Sequence, residues 1–428
     1  MPRLTRDRIT WLTYAQLGLW GFFLYGFGPV VPLLRDEQGT SAAVAGLHST
    51  GIAVGALAGG ALFAPLARRL GRGGAIWTGL GGVAAGVTAL GVVHALPATL
   101  TAVAVIATFG MLVISGVSVV LTDRHGSTAP AALIEANAVC AGAGILAPLV
   151  IGASVDAGWG WRPALAVEVG LIALVALAAL IFRVRLPRPA PARAAPGGSP
   201  AGSRADVGAP AGVGPAAGAG PTVDAGATAG GRRAGRLPSA YWIAWVLMAV
   251  TGSIEVCLSL WTADVLRSHA AMAAGTASAA VAAIVCGMFV GRLVGGRFAL
   301  RYRPVPLLLT ALGVSLAGFT IFWLAPVGWL AVTGLVVLGL GNALHYPLAI
   351  SIALAVAGPA ADRAAGWASY SMGVGFGIAP VALGWVADGV GAHLAFLLLP
   401  GFIAVAALLA ARLGRALRPT ATPTMANA

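Results

Sequence analysis

The sequence contains no lysine; all 26 of its basic residues are arginine. Charge of either sign is scarce, at 9% of 428 residues against 59% hydrophobic residues. A soluble domain of this length needs far more charge to cover itself, so most of this surface faces lipid. Cysteine is nearly absent too. Cys140, Cys257 and Cys286 lie inside apolar runs without CxxC spacing, which argues against a disulfide framework or a zinc site and leaves buried thiols. No Walker A phosphate loop is present, so ATP is not the expected energy source. No HExxH, GxSxG or acidic pair near a membrane surface supplies the catalytic set that a polytopic membrane enzyme needs. No cofactor is expected. The net charge of +13 sits in short clusters between apolar runs rather than over one face, so nucleic acid is not an expected partner. Nor is a cleaved signal expected: three arginines within Met1–Arg8 lead into a run too long for a signal peptide's apolar core.

What is abundant is apolar length. A membrane-crossing helix needs roughly 20 apolar residues, and the runs predict twelve spans. They lie near 10–34, 41–67, 74–95, 97–122, 130–155, 161–183, 239–263, 271–298, 304–325, 327–356, 364–388 and 391–413. With both termini cytoplasmic, 22 arginines fall on the inner side, only Arg35, Arg162 and Arg267 fall outside, and Arg292 lies within a span. That asymmetry predicts a multi-pass protein of the cytoplasmic membrane with both termini inside. Residues 184–238 are almost wholly Ala, Gly, Pro and Arg and lack side chains to bury. They read as a disordered cytoplasmic linker between a half at 1–183 and a half at 239–413, with a tail at 414–428.

The halves match at one offset of 232 residues. Ala147-Pro148, Gly152 and Asp156 correspond to Ala379-Pro380, Gly384 and Asp388. The same offset pairs Leu34-Arg35 with Leu266-Arg267, Gly55 with Gly287, Gly59 with Gly291 and Arg69 with Arg301. Two six-span halves in the same orientation, joined by a long inner linker, form a parallel repeat of the kind alternating-access carriers use. The expected fold is an all-α integral membrane protein of two six-helix bundles.

Short motifs add a resemblance. The stretch Ala64-Pro65-Leu66-Ala67-Arg68-Arg69-Leu70-Gly71-Arg72 is similar to the Gly-x-x-x-Asp-Arg-x-Gly-Arg loop of the major facilitator superfamily, as is the copy from Gly296 to Arg303. Both keep the arginine at the sixth position, Arg69 and Arg301, and lose the acidic residue, replaced by Arg68 and Leu300. The resemblance implies that Arg69 and Arg301 belong to an inner gate whose latch is built differently here. Gly144 through Gly152 is similar to the family's span-five motif, and Trp159-Gly160-Trp161-Arg162-Pro163 looks like its turn into span six. Span four has no arginine before Arg124, unlike drug/proton antiporters of the family.

Ionisable groups within spans are costly and mark function. Thr251, Glu255, Ser259 and Thr262 form one helical stripe in span seven. Glu255 is the leading candidate for a protonatable or cation-binding carboxylate, with a structural hydrogen bond as the alternative. Asn342 and His345 lie mid-span beside Pro347, which is expected to kink the helix. They are candidates for solute binding or proton relay, with packing as the alternative. Tyr14, Gly18, Gly21 and Tyr25 share a stripe in span one that reads as close packing, with Tyr25 the exception expected in the cavity. Glu135 and Arg292 both lie near the inner ends of spans five and eight, which face each other in the resembled fold. An ion pair between them across the halves is the expected inner gate, while Arg292 stands too far below Glu255 for a straight-helix pairing. Asp156 and Asp388 end spans five and eleven; they read as solvated helix ends, with outer latches to Arg267 and Arg35, or His48, as the alternative.

Together these readings predict a monomeric carrier of a small organic solute by alternating access, driven by protons or facilitative, with uptake expected and efflux the alternative. A transport-dead sensor in the same fold is the rival from another class.

Overall fold

The computed structural model describes residues 4–184, 237–299, 301–357 and 361–416. The expected linker, apart from its ends, and the last twelve residues of the tail lie outside the described residues. Fourteen α-helices follow one another: α1 (Arg8–Gln38), α2 (Ala42–Val92), α3 (Leu96–His125), α4 (Ala129–Asp156), α5 (Arg162–Ile181), α6 (Ser239–His269), α7 (Ala274–Ala280), α8 (Ala282–Ala299), α9 (Pro304–Leu324), α10 (Gly328–Asn342), α11 (His345–Ala357), α12 (Ala361–Val390), α13 (Ala392–Ala395) and α14 (Leu398–Ala416).

Local chemistry sets the ends. Asp7 caps α1 by accepting from the Thr10 N–H, and Gly39 closes it in the left-handed conformation at φ 60°. Ser41 then caps α2 by accepting from the Val44 N–H. At 1.5 Å per residue the 51 residues of α2 would run about 76 Å, over twice the ~30 Å hydrocarbon core. The helix breaks at Gly71, whose φ of 76° strains any side-chain-bearing residue, so α2 makes two crossings. In the second half α7 and α8 share one crossing, as do α10 and α11, and α13 and α14. The total among the described residues is twelve.

The repeat offset holds for whole elements. Shifted by 232 residues, α3 coincides with α10 and α11, and the second part of α2 coincides with α9. α10 gives way to α11 at Ala343–Leu344. Pro347 removes the N–H that would bond the Ala343 carbonyl and crowds it, which accounts for the break. The halves meet where α2 packs along α12, α4 along α7 and α8, and α1 along α6.

Candidate functional site

A cavity lies at the meeting of the halves. Leu24, Tyr25, Phe27 and Gly28 of α1 and Ile52 of α2 form one wall. Glu255, Val256, Ser259 and Leu260 of α6, Ile284, Val285 and Met288 of α8 and Phe376 of α12 form the other. It encloses about 630 Å³ of empty space. Gly28 makes this wall possible: a β-carbon there would strike the backbone oxygen of Ser259, so α1 and α6 cross in direct contact. Pro380 leaves the Phe376 carbonyl without its helical donor, and the Ser49 hydroxyl of the other half donates to that oxygen. Beside it the Thr50 hydroxyl donates to the Gly377 carbonyl at 2.6 Å.

Glu255 and Tyr25 line the cavity, and Arg292 stands against both without being among the lining residues. Arg292 Nη2 stands 3.9 Å from Glu255 Oε1, with side chains 13% and 11% exposed. Across the interface, Arg292 Nη1 donates to the Tyr25 hydroxyl at 3.2 Å. The Nε and Nη2 atoms of Arg292 are buried and have no hydrogen-bond partner among the described residues. Arg292 therefore faces Glu255, contrary to the sequence expectation. Counting residues inward from helix ends placed Cα atoms only, and a long arginine side chain spans most of another turn, which brings its guanidinium up to Glu255.

Glu135 is engaged elsewhere. Arg6 Nε and Nη2 donate to it at 2.8 and 2.5 Å, and the Tyr14 hydroxyl donates at 3.1 Å. The expected Glu135–Arg292 pair is thus not formed here, because Glu135 is satisfied within its own half. Tyr14 and Tyr25 bracket the seam where Gly18 meets Val139 and Gly21 meets Cys140 of α4. Asn342 and His345 stand behind the cavity wall. Asn342 Nδ2 lies 3.7 Å from Met288 Sδ, and His345 Nε2 lies 3.1 Å from the Ser315 hydroxyl of α9. The kink at Ala343–Leu344 turns both into the second half, which a helical wheel does not reveal. Thr251 and Thr262 are buried, so of the α6 stripe Glu255 and Ser259 line the cavity. Arg69 and Arg301 are exposed, and neither forms an ion pair among the described residues.

Two rims flank this centre. At the rim away from the termini, charges cross between halves. Arg35 donates both terminal nitrogens to Asp264, at 2.6 and 2.8 Å, and Arg267 Nη2 reaches Asp36 at 2.7 Å. Asp388 accepts the backbone N–H groups of Ala42 and Ala43 at 2.7 and 3.0 Å, in the first turn of α2. Asp156 lies against Gly275 in the first turn of α7 and takes the Thr276 hydroxyl at 3.4 Å. Asp156 and Asp388 therefore dock on helix N-termini rather than on the arginines or His48. A first turn offers unpaired N–H groups and a partial positive charge, which suits a carboxylate. His48 is buried against Ala45 and Thr99 instead.

At the rim carrying the termini, the described pairs stay within the first half: Arg6–Glu135, Arg72–Asp123 and Arg124–Asp7. Burial pushes the Asp7 carboxyl upward, but the bonds from Arg124 and Thr10 outweigh it and hold the group well below the usual carboxylate range. Sequence reasoning missed Asp264, Asp36, Arg6 and Phe376. The matched arginines at 35 and 267 carried a signal for the first two. None announced Phe376, whose role depends on a carbonyl that Pro380 frees.

A family model described as Major Facilitator Superfamily matches residues 15–361 and 269–426. No curated protein matches in sequence. Among solved structures, the chain is similar to the nucleoside transporter NupG at TM-score 0.67 and 14% identity, over 95% of this chain and 98% of that one. It is similar to a bacterial homolog of the human lysosomal transporter Spinster, inward-facing and unoccupied, at 0.66 and 15%, over 95% and 96%. It is also similar to the Major Facilitator Superfamily transporter FucP in the outward conformation, at 0.56 and 17%, over 95% and 98%.

Proposed function

The chain belongs to the Major Facilitator Superfamily, and on that premise we propose that it is a proton-coupled uptake carrier for a small organic solute in which Glu255 carries the proton. It is a secondary transporter that works by alternating access, spanning the membrane many times. The observation that carries the coupling is a lone carboxylate, Glu255, on the wall of the cavity between the halves, 3.9 Å from Arg292. Charged, Glu255 balances the guanidinium. Protonated, it releases that attraction and lets a solute group take its place. A site that is neutral when loaded crosses between its two states at lower cost than one bearing net charge in low dielectric.

In this reading the chain is a monomer of the cytoplasmic membrane with both termini and residues 184–238 inside, and it is not an enzyme. Arginine asymmetry supports the orientation. The far rim then faces outward, closed by Arg35–Asp264, Asp36–Arg267 and the two aspartates on helix N-termini. The inner side is the open one. Arg69 and Arg301, exposed here, take partners when the inner side closes, and the inner latch is not a Glu135–Arg292 pair in the present state. Asn342 and His345 support Met288 and the α9 contact from behind rather than touching solute.

The test is pH change in lightly buffered vesicles holding the purified protein, screened against a solute library with Glu255→Gln alongside. Solute-driven proton flux that Glu255→Gln abolishes is the expected result. Equal solute uptake by both proteins without proton flux would reduce Glu255 to a structural role.

A further inference from the structure

We infer that the solute this site takes is a small amphipathic monocarboxylate, held by the Nε–Nη2 edge of Arg292 while Glu255 carries one accompanying proton. The inference rests on the transport reading above and names its substrate class.

The first ground is the unmet donors. Arg292 uses Nη1 on Tyr25, while Nε and Nη2 are buried without a hydrogen-bond partner. Those two N–H groups lie side by side and parallel, the fork that a carboxylate fills with two bonds. Glu255 stands near at 3.9 Å, outside hydrogen-bond distance, so the fork is faced by a carboxylate without being filled by it. The Tyr25 hydroxyl accepts from Arg292 and therefore keeps its own proton to donate to an incoming acceptor.

The second ground is what the rest of the wall lacks. Leu24, Phe27, Ile52, Ile284, Met288 and Phe376 offer apolar contact, and Ser259 is the remaining polar side chain among the lining residues. Such a wall suits a short hydrocarbon or aryl body with one polar end. A dicarboxylate or a phosphate would bring a second negative charge that no lining cation meets. An amine would approach Arg292 against its charge.

The third ground is charge balance. Arg292 and Glu255 sum to zero, so an added carboxylate leaves the buried site one charge negative. A proton taken onto Glu255 restores neutrality, because the solute's carboxylate then replaces the Glu255 carboxylate as counter-ion of Arg292. One carboxylate and one proton move together, and no net charge crosses.

The experiment uses the full-length purified protein. Benzoate, hexanoate and 3-phenylpropionate are compared with their primary amides, with hexylamine and with phenylalanine. Titration calorimetry in two buffers of different ionisation enthalpy reads both affinity and proton uptake. At least one acid is expected to bind about 50-fold more tightly than its amide, the loss of two charge-assisted bonds. Near neutral pH, binding takes up about one proton in wild type and none in Glu255→Gln, which still binds the acid. Arg292→Lys keeps the charge without the fork and is expected to weaken acid binding about tenfold. Acids and amides binding alike to wild type would overturn the inference without reference to any variant, as would failure of all three acids to bind, or tighter binding of hexylamine or phenylalanine. Acid-selective binding without proton uptake would leave the substrate class standing and remove the coupling role of Glu255. Proton flux driven by an uncharged solute and lost in Glu255→Gln would do the reverse.

Discussion

The far rim and the termini-side rim use the same residue types for opposite purposes. At the far rim Arg35 and Arg267, matched in the two halves, each take a carboxylate from the half opposite, beside the pairs Arg35–Asp36 and Arg162–Glu37 that stay within the first half. At the termini-side rim Arg6, Arg72 and Arg124 each take one from their own half. A pair within one half is carried along unchanged when the halves rock. A pair across the halves must break, so its free energy enters the balance between the two states. The difference separates latches from fasteners, and it makes the far rim the closed end of the present conformation.

The sharpest way to break the comparison is Asp264→Ala. It removes the partner across the halves that takes two bonds from Arg35, while Asp36 keeps its own bonds to that guanidinium, so a cost of about 1–2 kcal/mol falls on the closed far rim alone. The population ratio should move about 5–30-fold towards opening. Spin labels at Ala95→Cys and Ser268→Cys, one on each half, read this as a longer distance. The exchange Arg35→Asp with Asp264→Arg should bring the distance back. If Asp264→Ala leaves it unchanged, the crossed pair is decoration and the latch lies elsewhere.

Asp388→Asn comes next. The carboxylate accepts two backbone N–H groups of α2, one on each oxygen, and an amide of the same shape can accept only one of them and loses the charge. About 1 kcal/mol is at stake at an exposed helix N-terminus, so the same labels should show a smaller shift. Ser49→Ala, which strips the donor from the Phe376 carbonyl that Pro380 leaves bare, should also cost about 1 kcal/mol. Its effect should fall on solute affinity as well, because Phe376 lines the cavity.

These latches were only partly legible in the sequence. Span positions and the 232-residue repeat follow from apolar length and landmark spacing, which depend on local chemistry alone. The break inside α2 was legible as well, since Gly71 sits among Arg68, Arg69 and Arg72. Glu255 and Tyr25 stand out in the sequence because an unusual residue in a span is conspicuous, and both line the cavity. Partners were another matter. Depth counted along the helices places Arg292 level with Glu135, whereas the reach of the arginine side chain takes it to Glu255 instead. Asp388 reads as a solvated helix end or an arginine's partner, yet the partial positive charge and free N–H groups of a helix N-terminus take it instead and leave no letter in the sequence. His345 looked functional because it is rare, and its kinked helix turns it to Ser315.

The smallest expected effect tests the other side of the comparison. Glu135→Gln removes the carboxylate that Arg6 and Tyr14 both address, in a setting where the Arg6 and Glu135 side chains are 45% and 33% exposed. Pairs this open to solvent contribute less than ~1 kcal/mol. The whole loss falls within the first half, where α1 meets α4, and both conformations share it. The substitution should therefore lower the melting temperature of the purified protein by no more than a few degrees while the Ala95–Ser268 label distance and solute affinity stay at their wild-type values. A fastener lowers both states together, whereas a latch moves one against the other. Should Glu135→Gln instead lengthen or shorten that distance, Glu135 must acquire a partner across the interface in the alternate state. The termini-side rim would then be a second latch caught with its bolt withdrawn, with Arg292 as the first partner to try by charge exchange.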